Sequence, residues 1–270
     1  MRTLIKLCCV GMLLLGLSKQ ADAKCSWWYL QTLPEKGAKK VPLNVKPFFA
    51  VYGYKRDLAI KMLENSVLFG EGHKVGVKVN VLPSSKGSLQ MTYVVLEPAS
   101  PLKPNRKYRL DVPKSMGKSK KDYGIEMIYN SIAGYQFTTG TKSDVKAPAA
   151  ITQVQSKGYR YARLGCGPVR NIRIKVKGLS DNATPTKHLR FAYKVTWNKG
   201  KKTKKFVVYG STSWGGELSL GHGMCSGNFA GIEVGTYTIR VQAIDFAGNK
   251  TPWSKPVVAS VPFRKIKRRY

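Results

Sequence analysis

The residues able to do covalent chemistry are few, and they do not form a catalytic pattern. His222 and Cys225 lie three residues apart in a glycine-rich stretch, and a cysteine beside a histidine can act as a nucleophile and its base. The alternative, which we prefer, is that Cys225 forms a disulfide and that His222 is a loop residue. Ser213 lies in residues 210–215, where the first glycine is one residue too far from the serine for a Gly-x-Ser-x-Gly turn. The sequence therefore predicts a protein that is not an enzyme.

The acidic residues are also scattered along the chain. A glycosidase needs two carboxylates facing one cleft, and a calcium site needs clustered oxygen ligands. Asp181 is isolated between Ser180 and Asn182, and Asp57 and Asp245 fall in other predicted turns. Three scattered histidines and three cysteines outside the first 23 residues do not match the four closely spaced ligands typical of a zinc site. We expect no metal site, no cluster of acids and no cofactor.

Basic residues offer binding chemistry instead. The chain has 47 Lys and Arg against 14 Asp and Glu, a net charge of +33, and such a field attracts anions from beyond contact distance. Clusters occur at residues 198–205, 264–270 and 114–121. Each cluster can bind phosphate groups with release of counterions, or can be a solvated loop that keeps the protein soluble. The candidate anion-binding residues are Lys199, Lys201, Lys202, Lys204, Lys205, Arg264, Lys265, Lys267, Arg268 and Arg269.

The first 23 residues have the pattern of a cleaved secretory signal peptide. Arg2 and Lys6 precede an apolar stretch from Leu7 to Leu17, and Ala21-Asp22-Ala23 is a small-x-small cleavage site. The apolar stretch is shorter than the roughly 20 residues that span a bilayer, although an uncleaved anchor helix is the alternative. We expect an exported protein that is periplasmic, outer-surface or secreted, with no transmembrane segment after cleavage. The signal holds three basic residues and one acid, so residues 24–270 keep a charge of +31.

Cysteine usage agrees with export to an oxidising compartment. Cys8 and Cys9 lie in the signal, which leaves Cys25, Cys166 and Cys225. Cys166 and Cys225 both fall in the second half of the chain, and we predict a disulfide between them. A pairing that involves Cys25 remains open.

Short alternating segments separated by Gly, Pro, Asn and Ser indicate an all-β sandwich fold. The clearest example is residues 74–82, in which Val75, Val77, Val79 and Val81 share one face that we expect to be buried. One short helix is possible over residues 58–68, and residues 114–121 look like an exposed loop. Asn198 to Lys201 is predicted to be a hairpin turn. The predicted strands are 47–54, 74–82, 90–97, 108–112, 135–139, 169–177, 189–197, 205–209, the first part of 234–249, and 257–261.

The first half resembles the bacterial Ig-like domain of the "big 5" type. The resemblance is carried by Val41-Pro42-Leu43-Asn44, by residues 96–110 and by Tyr135-Gln136-Phe137-Thr138-Thr139-Gly140. Domains of this family occur in exported surface and periplasmic proteins, so the resemblance implies a small β-sandwich and a location in the cell envelope. It implies no chemistry, because unrelated functions share such sandwiches.

The second half resembles fibronectin type III-like domains over residues 231–262. Gly235-Thr236-Tyr237 leads into an alternating strand, and Asp245-Phe246-Ala247-Gly248-Asn249 forms the turn after it. A polar stretch from Gly140 to Pro148 separates this half from the first. The predicted organisation is therefore a signal peptide (1–23), an Ig-like sandwich (24–143), a fibronectin III-like sandwich (144–263) and a basic tail (264–270).

These observations favour a non-catalytic exported binding or scaffold protein of the cell envelope. Its expected partner is an anionic polymer or envelope component, namely lipopolysaccharide, acidic polysaccharide or nucleic acid, contacted through basic loops. A protein partner at the sandwich faces is also possible. The alternatives are a secreted nucleic-acid-binding protein and an envelope hydrolase whose site the sequence does not reveal.

Overall fold

Antiparallel strands make up about half of the described residues, as the alternating patterns predict. In the described part of the chain they form three sheets, of seven, four and three strands. The predicted all-β sandwich fold is confirmed. The structure, a computed structural model, describes residues 29–53, 56–83, 91–117, 123–164, 167–211, 217–223, 227–229 and 231–263.

The N-terminal half, residues 29–138, contains the seven-stranded sheet, in the order β1-β2-β5-β4-β3-β6-β7. Strand β4 joins its two parts, because residues 73–76 pair with β3 and residues 77–81 pair with β5. The strands are β1 (Tyr29–Leu33), β2 (Phe48–Tyr52), β3 (Val67–Gly70), β4 (His73–Val81), β5 (Thr92–Pro98), β6 (Lys107–Asp111) and β7 (Gln136–Thr138).

Two helices contribute to the same core. Helix α1 (Arg56–Glu64) buries Ala59, Met62 and Leu63, and helix α2 (Tyr123–Ala133) buries Ile128 and Ile132. The predicted helix over residues 58–68 is therefore confirmed, but it ends at Glu64 because the chain then enters β3. Helix α2 was not predicted.

Two sequence-based expectations for this half were wrong in part. The valine face of β4 is buried at Val75 but 46 % exposed at Val81, because the end of the strand extends beyond the core residues. The predicted loop at 114–121 begins with a short 3-10 helix, Lys114–Gly117, in which Met116 packs against the core. Residues 118–121 lie outside the described residues.

The C-terminal half, residues 153–263, places a four-stranded sheet (β11-β10-β13-β14) beside a three-stranded sheet (β12-β9-β8). Their facing side chains form a second core, exemplified by Ile172, Tyr193 and Val241. The predicted strands are found here, several of them with longer ends, and β8 and β12 are additional strands. The strands are β8 (Gln153–Leu164), β9 (Gly167–Lys177), β10 (Arg190–Lys199), β11 (Lys202–Ser211), β12 (Leu218–His222), β13 (Gly235–Ile244) and β14 (Val257–Val261).

The start of β13 is held by a tyrosine. The Tyr237 hydroxyl accepts a hydrogen bond from the Glu233 amide at 2.8 Å and donates one to the Glu233 carbonyl at 2.9 Å. A tyrosine bonded to the backbone a few residues upstream, the tyrosine corner, is a feature of immunoglobulin-type sandwiches. These two bonds hold the segment before β13, which comes from the three-stranded sheet, against the start of β13 in the four-stranded sheet.

The two halves contact each other around residues 140–152, which contain no helix or strand. Asn44 and Asp144 exchange two hydrogen bonds, each 2.8 Å long, between the Asn44 side chain and the Asp144 backbone. Phe246, from the turn after β13, is 4 % exposed and packs in the N-terminal core. The segment between the halves is therefore anchored on both sides.

Candidate functional site

The β10–β11 hairpin carries the predicted lysine cluster. Its strands pair as far as Lys199 and Lys202, which leaves Gly200 and Lys201 as the turn. Gly200 has a φ of +56°, a left-handed conformation that glycine adopts without steric cost. The predicted hairpin turn is confirmed, and it brings five lysines to one end of the sheet.

Lys204 differs from the other four lysines. Its ammonium lies 3.0 Å from Glu233 Oε1 and 4.8 Å from the centre of the Trp197 ring, so part of its charge is already compensated. Lys199, Lys201, Lys202 and Lys205 are exposed, and none of them has an ion-pair partner among the described residues.

The outer face of the four-stranded sheet extends the basic surface. Lys194 on β10 lies directly opposite Arg240 on β13. Lys205 on β11 lies opposite Thr196, which shares a face with Lys194 because residues two apart in a strand point the same way. All three basic side chains are exposed. We call Lys194, Lys205 and Arg240 the basic face.

This arrangement has an energetic cost in the free protein. Directly opposed residues of antiparallel strands have Cβ atoms about 5 Å apart, and like charges in such pairs are destabilising. Within the described part of the chain, Lys194 and Arg240 have no acidic partner. A bound anion would relieve the repulsion between them.

Of the basic face, Lys205 was among the predicted residues, and Lys194 and Arg240 were not. The alternation along β13 places Arg240 on the outer side, but its neighbour across the ladder follows only from the strand register. Lys194 comes from a strand recognised for its apolar residues. The sequence therefore shows the basic residues of each strand, but it does not show which residues of the two strands lie opposite each other.

The other predicted residues divide into two groups. The histidines lie apart: His222 Nδ1 is 2.8 Å from the Gly223 carbonyl, His188 Nε2 is 2.9 Å from Glu35 Oε1, and His73 begins β4. The remaining candidates lie outside the described residues, so the predicted disulfide and basic tail stay predictions: Cys25, Cys166, Cys225, Ser213, Arg264, Lys265, Lys267, Arg268 and Arg269.

The expectation that the chain contains no cluster of acids was wrong. Asp144, Asp181 and Asp245 each bring a carboxylate oxygen within 4.8 Å of the others. They are far apart in sequence, on the segment between the halves, on the turn before β10 and on the turn after β13, so spacing did not reveal the cluster. We call these three residues the acidic cluster.

Hydrogen bonds orient the acidic cluster. Asp144 Oδ1 accepts from the Lys146 amide and from Asn182 Nδ2, both at 3.2 Å. Asp181 Oδ2 accepts from the Ala183 and Thr184 amides at 3.0 and 2.6 Å. The second oxygens, Asp144 Oδ2 and Asp181 Oδ1, are buried without a hydrogen-bond partner in the described structure.

Asp245 is fully buried, and both its carboxylate oxygens accept hydrogen bonds from Asn249 at 2.8 and 2.9 Å. Burial raises the pKa of Asp245, the Asn249 hydrogen bonds oppose that change, and the charges of Asp144 and Asp181 add to it. The nearby Arg190 donates to the main-chain carbonyl of Asp245 at 2.6 Å. Burial lowers the pKa of Arg190 to about 10, so the guanidinium stays charged at neutral pH.

A cleft of about 920 Å³ lies between the two halves beside the acidic cluster. Asp144 and Asn182 line one part of it. Four lysines also line it, namely Lys36, Lys39, Lys40 and Lys142, together with Glu35 and His188. One member of the acidic cluster, Asp144, therefore borders a cleft that carries a second group of basic side chains.

No protein-family model matches the sequence, and the search of curated proteins found no match. Among solved structures, the chain is similar to the FN1–FN3 domains of chicken CNTN1, with 12 % identity and a TM-score of 0.27 over 88 % of this chain and 65 % of that one. It is also similar to the N-terminal part of the bacterial S-layer protein SbsC, with 12 % identity and a TM-score of 0.24 over 84 % of this chain and 43 % of that one. Because these TM-scores are low, the likeness carries no argument, and the architecture rests on strand pairing and burial.

Among the described residues, no helix has the length and apolar character needed to cross a membrane.

Proposed function

We propose that this protein is a non-catalytic, exported binding and scaffold protein of the cell envelope, whose C-terminal half binds an anionic polymer. In this proposal the N-terminal half is a "big 5"-type Ig-like sandwich that acts as a rigid support. The secretory pattern of residues 1–23 supports export. The separate positions of His73, His188 and His222 support a role without catalysis.

One observation carries the proposal, namely the basic face, for which the described residues provide no acidic partner. Lys194 and Arg240 oppose each other across β10 and β13, with Lys205 beside them on β11. Holding like charges together costs stability. A folded protein that retains this arrangement on an exposed sheet has a surface suited to negatively charged groups.

The shape of the surface favours a polymer over a small anion. The hairpin lysines at 199–202 lie at the end of β10, and five strand residues at about 3.4 Å each place Lys199 about 17 Å from Lys194. Lys199 points to the opposite side of the sheet from Lys194, so a ligand that contacts both must bend around the end of the hairpin. A small anion can contact only a few of these charges at once. A chain with repeated phosphate, sulfate or carboxylate groups can contact most of them, so its affinity falls steeply as salt rises.

The test is retention of residues 24–270 on heparin and on DNA resins across a salt gradient. We expect wild type to elute at high salt. The triple variant Lys194→Gln, Lys205→Gln, Arg240→Gln should elute much earlier, because it removes the basic face. A separate variant that lacks residues 264–270 measures how much of the retention the tail contributes.

The matched control is Lys61→Gln, Lys74→Gln, Lys103→Gln. It removes the same number of charges at exposed positions in the N-terminal half. Equal loss of retention in both triple variants would mean that only total charge matters, and the binding surface proposed here would be wrong. Stronger retention on DNA than on heparin at matched salt would instead favour the secreted nucleic-acid-binding alternative.

A further inference from the structure

We propose that the acidic cluster is a calcium site that joins the two halves of the protein. The inference goes beyond anion binding and rests on different residues. Asp144, Asp181 and Asp245 supply three carboxylates, and Asp144 lines the cleft between the halves.

The spacing is compatible with a calcium ion. The carboxylate oxygens all lie within 4.8 Å of one another. Calcium binds oxygen at about 2.3–2.6 Å, so two oxygens on opposite sides of one ion are up to about 5.2 Å apart. The ligand type favours calcium over magnesium, because magnesium usually keeps several waters and calcium accepts a flexible set of protein oxygens.

The ligands are already oriented. One oxygen of Asp144 and one of Asp181 are held by backbone amides, and the other oxygen of each is buried without a hydrogen-bond partner in the described structure. Asp144 as a whole is only 3 % exposed. A buried, unpartnered carboxylate oxygen is costly, and buried charges in proteins are normally paired or bound to a metal. The two free oxygens point to a ligand that accepts electron pairs, namely a cation.

The local charge supports the same conclusion. Arg190 is a nearby buried cation, and its guanidinium donates to the main-chain carbonyl of Asp245. At the cluster itself, one buried positive charge accompanies three carboxylates, whereas the lysines of the cleft are exposed to solvent. A divalent cation between the carboxylates would balance the excess negative charge at this point.

The site would act as a clamp. Asp181 and Asp245 belong to turns of the C-terminal half, whereas Asp144 lies on the joining segment and is bonded to Asn44 of the N-terminal half. An ion held by all three residues would fix the joining segment against both halves. Calcium should therefore stabilise the whole protein and not only one turn.

The experiment is thermal unfolding of residues 24–270 in EDTA, in millimolar CaCl2 and in millimolar MgCl2, together with calorimetric titration of CaCl2. At calcium concentrations about 100 times Kd, we expect the wild-type Tm to rise by about 5–10 °C. Titration should show one site per chain. We expect a smaller rise in Tm with MgCl2 than with CaCl2. Equal rises in Tm with the two salts would overturn the assignment to calcium.

Asp181→Asn and Asp144→Asn test the ligands, because asparagine keeps the anchoring carbonyl oxygen and loses the free carboxylate oxygen. Both variants should lose most of the calcium response. In EDTA their Tm should equal or exceed that of wild type, because one repelling charge is gone. Asp57→Asn, an exposed aspartate on α1, is the matched control and should respond like wild type.

The proposal fails if CaCl2 produces neither a heat of binding nor a rise in the wild-type Tm. It also fails if either ligand variant responds to calcium as wild type does. A lower Tm of both variants in EDTA would show that the carboxylates stabilise the fold without an ion, which would equally overturn the proposal.

Discussion

Tyr237 and Tyr135 are both 1 % exposed, but their hydroxyls have different surroundings. The Tyr237 hydroxyl makes two hydrogen bonds to the backbone of Glu233, whereas the Tyr135 hydroxyl is buried without a partner in the described structure. Tyr237→Phe should lower the free energy of unfolding by about 1–3 kcal/mol, because it removes two partly buried hydrogen bonds that each contribute about 0.5–1.5 kcal/mol. Urea unfolding curves measure this loss.

Tyr135→Phe is the comparison that isolates the hydrogen bonds. It makes the same chemical change in the N-terminal core, where the hydroxyl makes no hydrogen bond in the described structure. We expect its free energy of unfolding to be unchanged or slightly higher than that of wild type. Equal destabilisation of both variants would show that loss of the Tyr237 hydrogen bonds is not what costs stability.

At the scale of elements, helix α2 stabilises the N-terminal half through one face. Ile128 is fully buried on that face, and Met127, one residue earlier, is 39 % exposed. Ile128→Ala should lower the free energy of unfolding by about 2–5 kcal/mol, because it opens a cavity in a packed core. Met127→Ala should cost well under half as much. Chemical denaturation of both variants checks the difference, and equal costs would mean that α2 does not pack as described.

Most strands could be predicted from the sequence, although β1, β3, β8 and β12 were not, and α2 could not be predicted for a physical reason. Alternation at period two is visible in a single strand, as in residues 74–82 and 234–244. Residues 123–133 mix isoleucine and tyrosine, which favour strands, with an apolar spacing of four between Ile128 and Ile132. Packing against α1 and the sheet favours the helix, and this contact cannot be predicted from the local sequence.

The candidate sites show the same limit more strongly. The hairpin lysines are contiguous, so the sequence reveals them directly. The basic face requires the register between β10 and β13, and the acidic cluster requires three turns to meet. Residues that lie close together in the chain were found, and residues brought together only by folding were missed.

For the molecule as a whole, Phe246 links the two halves. It follows β13 of the C-terminal half but packs in the N-terminal core, and its carbonyl accepts a hydrogen bond from the Lys46 amide at 2.7 Å. Nearby, Ser211 Oγ donates to Gln31 Oε1 at 3.0 Å, and Arg190 lies 5.2 Å from the Phe48 ring centre. These contacts predict that wild type unfolds as one cooperative unit rather than as two independent sandwiches.

Phe246→Ala should uncouple the halves. Removal of a buried phenylalanine side chain costs about 3–5 kcal/mol, and here the loss falls on the contact between the cores. Differential scanning calorimetry should therefore show one transition for wild type, with equal calorimetric and van't Hoff enthalpies, and a broadened or double transition for the variant. Phe263→Ala, at a position that is 75 % exposed, makes the same change and should keep the single transition. Two transitions already present in wild type would refute the coupling, because the halves would then unfold separately despite the shared contacts.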